Sequence, residues 1–317
     1  MAQSATSSSF EPTPGNRNIS WPTERSTPSN GTTTKQPQNG MAAPPAASKT
    51  AAGLDISNFP HGKKSLSAIA VRAYLLGTAL GIGITLTIIL AIQQNPLWRA
   101  PFYIASLSIF HFAEYWVTAQ YNTPQANKSA FLLFSNGWLY HIAHVSALAE
   151  CLAGQYFHRR PYTRWTGVIW NGVDIQLSVG LVMMVLGQVL RTMAMAQAAS
   201  NFNHIVQVEH KQGHVLVKHG LYAFLRHPAY FAYFWWAVGA QLTLGNVVCM
   251  LGFVRVLWKF FEDRIISESP SPSRSFATTM ALVRRLICAG EEEFLVCFFG
   301  DEYVEYRKKT WIGIPFI

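Results

Sequence analysis

The 317-residue chain carries 25 Lys+Arg against 16 Asp+Glu, a formal net charge of +9, yet only 13% of its residues are charged and 50% are hydrophobic. A soluble domain is about a quarter charged, so the composition speaks against an ordinary cytosolic enzyme. Cys151, Cys249, Cys288 and Cys297 include no Cys-x-x-Cys pair. That excludes a zinc ribbon or a dithiol redox motif and gives no reason to expect a disulfide framework.

Residues 1–62 are rich in Ser, Thr, Pro, Asn, Gln and Gly and hold hardly an aliphatic cluster. Such a segment cannot bury enough apolar surface to offset the entropy of ordering it. A disordered polar tail is expected there, followed by a membrane domain over 63–317. From Leu66 the chain is apolar for longer than the roughly 20 residues a helix needs to cross a hydrocarbon core. Gly77, Gly81 and Gly83 in this run suit close helix approach in lipid. A second span is expected over about 101–119, with Tyr115, Trp116 and Tyr121 as interfacial anchors. A third, over about 129–154, contains Asn136, His141, His144 and Glu150, and a fourth covers about 167–196. A polar stretch, 201–219, precedes a last apolar block, 222–261, which breaks at Gly245-Asn246 and reads as a helical hairpin. The expected fold is all-α, a polytopic membrane protein with about six transmembrane helices.

An even number of spans puts both termini on one side, together with Lys63, Lys64, Lys211, Lys218, Arg307, Lys308 and Lys309; Arg159, Arg160 and Arg164 fall opposite. The balance of basic residues near span ends favours cytosolic termini.

Ionisable residues inside spans are functional candidates, because lipid makes them costly. His111 and Glu114 share a helix face, as do His141 and His144, and His210 and His214 are helix-spaced. Metal ligation and hydrogen bonding inside the bundle both account for these residues; without an adjacent His-His pair the second reading is preferred, and no metal is assigned. The densest polar and aromatic stretch is 204–242, where Arg226-His227-Pro228-Ala229-Tyr230 abuts a span. Proline suits the first turn of a helix, whose free N–H groups and positive end attract an anion. An anchoring belt of basic and aromatic side chains explains the same stretch equally well. Further on, Arg264 and Glu268 are four residues apart, on one face of a helix.

GHVLVKHGLYAFLRHPAYFAYFWWAVGAQL, LWKFFEDRI, EEEFLVCFFGDEYVEYRKKT and the terminal GIPFI, with SLSIFHFAEYWVTAQYN and LGQVLRTMAMAQAASNFNHIVQ upstream, resemble the isoprenylcysteine carboxyl methyltransferase family from about residue 66 onward. The resemblance implies an endoplasmic reticulum membrane enzyme whose termini and cofactor site face the cytosol. It implies methyl transfer from S-adenosylmethionine to the C-terminal carboxylate of farnesylated or geranylgeranylated cysteine in CaaX proteins that have lost their last three residues. The resemblance places the cofactor against Gln207, His214, Val215, Leu216, Val217, Tyr222, His227, Pro228, Ala229, Tyr230 and Glu268. Arg264 would hold the substrate carboxylate, with Arg226 as a second choice for the same chemistry.

Two positions depart from the family pattern: Ala229 stands where the pattern carries serine, and an insert, 269–291, follows Glu268. The insert is either a regulatory loop or translated intron sequence. It leaves the acidic contact to the cofactor open between Glu268 and Glu291. Two rival readings remain at this point, a sterol-reductase-like NADPH oxidoreductase sharing Arg-His-Pro-x-Tyr and a non-catalytic prenylcysteine-binding membrane protein. The acceptor motifs Asn18-Ile-Ser and Asn30-Gly-Thr test the orientation. Both are expected to stay unmodified in a eukaryotic host, and a glycan removable by endoglycosidase would place the tail in the lumen.

Overall fold

The computed structural model describes residues 55–158, 169–170, 173–205, 213–266 and 291–315. Within them, α1 is Leu66–Ile92, α2 Arg99–Tyr121 and α3 Trp138–His158. A two-residue antiparallel pair, β1 Ile169–Trp170 and β2 Val173–Asp174, sets Ile169 opposite Asp174 and precedes α4, Ile175–Ala198. Then come α5 Pro228–Leu244, α6 Val248–Ile266, α7 Glu291–Phe299 and α8 Asp301–Lys309. The architecture is helical, as expected. Most of the tail lies outside the described residues, but its last part does not: Ile56–Asn58 forms a 3-10 turn closed by the Asp55 side chain.

Two helices, Leu66–Ile92 and Ile175–Asn201, are long and apolar enough to cross a membrane by length and composition. The other helices placed at expected spans are shorter or carry ionisable residues: α2 holds Arg99 and Glu114, and α6 holds Arg255, Lys259 and Arg264. Apolar composition therefore marks two spans where six were expected. Along α1 only Leu76 and Gly83 are buried, while Leu75, Ile82, Ile84, Leu86, Ile88 and Ile89 are exposed. An apolar surface this continuous is stable against lipid and a liability in water.

Two helix starts differ from the expected ones. The third begins at Trp138 rather than near Ser129, because Asn127 accepts the Ser129 N–H and Leu132 and Gly137 take positive φ. The apolar Ala130 and Phe131 are buried in that turn. The fourth starts at Ile175, where the Asp174 carboxylate accepts the Leu177 N–H and fixes the first turn. The break at Gly245-Asn246 is where the sequence puts it, with Gly245 left-handed at φ 79°. Glu150 reaches across from α3 to accept the N–H groups of Val247, Val248 and Cys249 at 2.6–2.9 Å, so this candidate for chemistry is the cap of α6. Cys151 and Cys249 are free thiols, whereas Cys297 is disulfide-bonded, contrary to expectation.

The close contact between α4 and α5 is made by glycines. A methyl group on Gly187 would sit 2.8 Å from the Ala232 carbonyl oxygen and the Trp236 Cβ, and one on Gly180 would meet Thr243 Oγ1 at 2.6 Å. In α1, Gly83 has the same role against Pro101 and Ala105 of α2, but Gly77 and Gly81 face open space, so only one of the three expected glycines is at a helix contact. The core that results is Tyr103, Phe110, Ala147, Met184, Trp236, Ala237, Ala240 and Leu244, with α5 at its centre. Gly187→Val is expected to lower stability by about 1–3 kcal/mol through overpacking, read as a fall in thermal midpoint of the purified protein in detergent. Gly77→Val, the control, should leave the midpoint unchanged.

Candidate active site

The site is assembled at one end of α5. Pro228 opens the helix at its first position, where a missing N–H costs nothing. The strand-like approach to it is fixed by the C-terminal segment: Arg226 N–H donates to the Trp311 carbonyl at 2.8 Å, and Trp311 N–H donates to Phe224 at 2.9 Å. Upstream, the Gln197 side chain of α4 accepts the Leu221 N–H at 2.8 Å beneath Gly220, which takes a positive φ of 61°.

Around this junction opens a cleft with three walls. His214, Val215, Leu216, Val217, Tyr222, Arg226, His227, Pro228, Ala229 and Tyr230 all line it. Sequence reasoning singled out each of these. Asn201, Phe202 and Asn203 form a second wall, and Glu291, Leu295, Phe299, Tyr303 and Tyr306 from α7 and α8 form a third. Asn201 Oδ1 accepts the Val215 N–H at 3.0 Å and so joins the first wall to the second.

The third wall is held by one carboxylate. Glu292, 7% exposed, accepts from Arg226 Nη1 at 2.9 Å and from the Tyr303 hydroxyl at 2.8 Å, and lies 2.7 Å from His227 Nε2. Burial would raise its carboxyl, but the hydrogen bond and charge of His227, the Arg226 charge and the Tyr303 hydroxyl outweigh burial and hold it below the ordinary carboxylate range. Burial, with the Glu292 charge next, pushes the Tyr303 hydroxyl far up; burial likewise raises Tyr222 and takes Tyr306 to about 12. All three are hydroxyl donors at neutral pH. Tyr306 donates to the Tyr222 carbonyl at 2.7 Å, which fixes the loop before α5.

Next to this clamp lies a second chain of contacts. Tyr230 donates its hydroxyl hydrogen to Glu291 at 2.7 Å and accepts from Arg264 Nε at 2.7 Å. Arg264 Nη2 donates to the His204 carbonyl at 2.6 Å, and its guanidinium lies 5.4 Å from the Tyr230 ring centroid. The rings of His227, Tyr230 and Phe261 stack in sequence at 5.4 and 5.0 Å. Arg264 therefore stands behind Tyr230, not among the lining residues, and Arg226 already grips a carboxylate of the protein itself. Gln207 and Glu268 lie outside the described residues. Of the two acidic candidates, Glu291 lines the cleft.

The intramembrane candidates are used elsewhere. His111 pairs through Nδ1 with the Phe131 carbonyl and through Nε2 with the Tyr140 hydroxyl, and His144 Nδ1 lies 2.5 Å from the Tyr103 hydroxyl. Glu114 forms a two-pronged ion pair with Arg191. Among the described residues no three His, Cys, Asp or Glu side chains converge on a metal position. Sequence reasoning missed Glu292, Tyr303, Tyr306, Phe299 and the 201–203 wall. The available signal was Tyr303-x-x-Tyr306 on one helix face behind a run of three glutamates.

Helices with an apolar exterior and, at one end, a cleft lined by polar and aromatic side chains are features of a membrane protein with a binding site. Comparison with known proteins makes the class specific. A profile of the isoprenylcysteine carboxyl methyltransferase (ICMT) family matches residues 180–271. Protein-S-isoprenylcysteine O-methyltransferase of Saccharomyces cerevisiae is 36% identical over 83% of this chain and 97% of the yeast protein. The proteins of that name from Xenopus laevis and Homo sapiens are 37% and 35% identical, over 80% and 78% of this chain and 76% and 75% of their own. The solved structure of the eukaryotic intramembrane Ras methyltransferase ICMT superposes with a TM-score of 0.63 at 31% identity, covering 79% of this chain and 77% of that one. The chain belongs to the isoprenylcysteine carboxyl methyltransferase family. It is a membrane methyltransferase, and the reductase and receptor readings fall with that membership.

The clamp gives a pH signature. Because the folded Glu292 carboxyl is lowered, its contribution is complete above the unfolded value of about 4.3 and is lost as pH falls through the folded value. Glu292→Gln is expected to lower stability at neutral pH by about 1–3 kcal/mol. Thermal scans against pH should show the difference from the parent chain closing as the carboxylate protonates.

Proposed function

We propose that the chain transfers a methyl group from S-adenosylmethionine to the C-terminal carboxylate of a prenylated cysteine, giving the methyl ester of a processed CaaX protein. The observation that carries this reading is a single cleft shared by the Arg-His-Pro-Ala-Tyr turn and the 214–217 segment, with Arg264 directly behind it. The residues present fit the cofactor: Glu291 offers a carboxylate to a cationic group, and Tyr222 and Phe299 put aromatic side chains in the lining. When bound, S-adenosylmethionine supplies the methyl group on a sulfonium.

No general base is needed. A C-terminal carboxyl has a pKa of about 3.3–3.7 and is already the anion at neutral pH. What the chain's residues supply is alignment and dryness, which in favourable cases lower a barrier by roughly 7–11 kcal/mol. A guanidinium suits the task because it is planar, permanently charged and grips a carboxylate by two hydrogen bonds. Arg264 is held still by Tyr230 and His204, so in this reading the substrate carboxylate meets a preset partner. Glu291, bonded to Tyr230, takes the acidic role toward the cofactor.

The prenyl chain explains the apolar body. It partitions into lipid at about 0.8 kcal/mol per buried methylene, so its cysteine end is best read at the membrane surface. We read α1 to α6 as six crossings with cytosolic termini in the endoplasmic reticulum membrane, which places the end of α4, the start of α5 and the end of α6 on the cofactor's side. Residues 1–62 are then a polar tail, 63–317 the methyltransferase domain and 269–291 an insert next to the site. The test is transfer of labelled methyl from S-adenosylmethionine to a farnesylcysteine analogue in membranes that contain the full chain. Activity that falls at least 100-fold in Arg264→Ala, and that persists when 269–290 are deleted, is the expected result. No transfer by either the full or the shortened chain would sink the reading.

A further inference from the structure

We infer that the buried Glu114–Arg191 ion pair, which lies outside the lining of the methyl-transfer cleft, is a positioning pair that sets two of its walls. The inference rests on the function proposed above. Glu114 is 1% exposed on α2 and Arg191 7% exposed on α4, and neither lines the cleft. Arg191 Nε and Nη2 both donate to the Glu114 carboxylate. Its remaining nitrogen, Nη1, donates to the Ala229 carbonyl at 3.0 Å, in the first turn of α5 where that residue lines the cleft. The guanidinium is also flanked by Phe110 and Tyr233, each ring centroid 5.3 Å away. Its fork, its third corner and its stacking are thus all committed, and a lysine has no equivalent of this planar arrangement.

The carboxylate half points at the second wall. Glu114 Oε2 lies 3.6 Å from His204 Nδ1, and Thr118, one turn further along α2, lies 3.5 Å from His204 Nε2. Asn122, a further turn along, donates to the Phe202 carbonyl at 2.9 Å. One side of α2 therefore registers the segment 202–204, which continues from that wall. The His204 carbonyl in turn accepts from Arg264. Burial, opposed by Glu114 but helped by Arg191 and Arg264, lowers the His204 imidazole, so it adds no third charge to the pair. A buried ion pair is weak evidence for stability, since hydrophobic replacements of both partners are often neutral or stabilising. The specific job left for it here is placement: Arg191 sets Ala229 and Tyr230, and Glu114 sets His204 and through it Arg264.

That distinction makes the inference testable with the full chain reconstituted in liposomes. Three variants serve, Arg191→Lys, Glu114→Gln and the double Glu114→Leu/Arg191→Met. Each is assayed for thermal midpoint and for kcat and KM toward S-adenosylmethionine and a farnesylcysteine analogue. The double variant should keep a midpoint close to that of the parent while its kcat/KM for S-adenosylmethionine falls by about tenfold or more. Arg191→Lys should lose more in kcat/KM than Glu114→Gln, because it alone gives up the Ala229 contact. A double variant that is stable and keeps parental kcat/KM for both substrates would show the pair to be structural filling and overturn the inference. Absence of methyl transfer by the parent chain would instead overturn the proposed function, and this inference with it.

Discussion

A charge carried into an apolar helical body costs several kcal/mol unless it is paired, and the arrangement of this protein follows from how its few buried charges are met. Glu114 and Arg191 answer each other across α2 and α4, and Arg226 and His227 answer Glu292 across the join between α5 and α7. Each pairing ties together segments far apart in the chain. Both converge on the start of α5, and it is there that the cleft opens. A site whose supports are locked in this way holds its geometry better than one carried on loops alone.

The same helix ties the cleft to the core. From Ala232 to Leu244, α5 contributes Phe234, Trp236, Ala237, Val238, Ala240 and Leu244 to the buried interior, while Pro228, Ala229 and Tyr230 at its start face the cleft. The C-terminal segment completes the arrangement. Ile312 and Ile314 pack with Phe234, Val238, Phe261 and Ile265, and Trp258 donates to the Pro315 carbonyl at 3.0 Å. The terminal residues thus fix the loop before α5 from outside and the base of α6 from inside. That is how the segment 311–315 supports the site although none of these residues lines the cleft.

What the sequence made legible follows from the range of the interactions involved. The long apolar run of α1, the break at Gly245 and the proline start of α5 depend on nearest neighbours, and all three are where they were expected. The late start of α3 was not legible. Apolarity at Ala130 and Phe131 says that these residues are buried, and it was Asn127, bonding forward to the Ser129 backbone, that made the segment a turn. Nor does composition say which way a glycine faces, so Gly77 and Gly81 looked equivalent to Gly83. In the site, the 214–217 and 226–230 residues could be read as a group because they are close in sequence. The clamp could not, since His227 and Glu292 are 65 positions apart, and neither could the 77-position pairing of Glu114 with Arg191.

The insert bears on this arrangement through its position. It connects α6, which carries Arg264 near its end, to α7, with Glu291 as its last residue and Glu292 immediately after it. A longer connection costs little by itself, since closing a loop grows more expensive only as the logarithm of its length. The ends are also held independently of the connection: Arg264 by Tyr230 and His204, Glu292 by Arg226, His227 and Tyr303. With both ends fixed to α5 and its neighbours, the intervening residues can lengthen while the cleft keeps its shape. In that arrangement the site depends on the pairings at the two ends of the insert, Glu291 among them, rather than on the residues between.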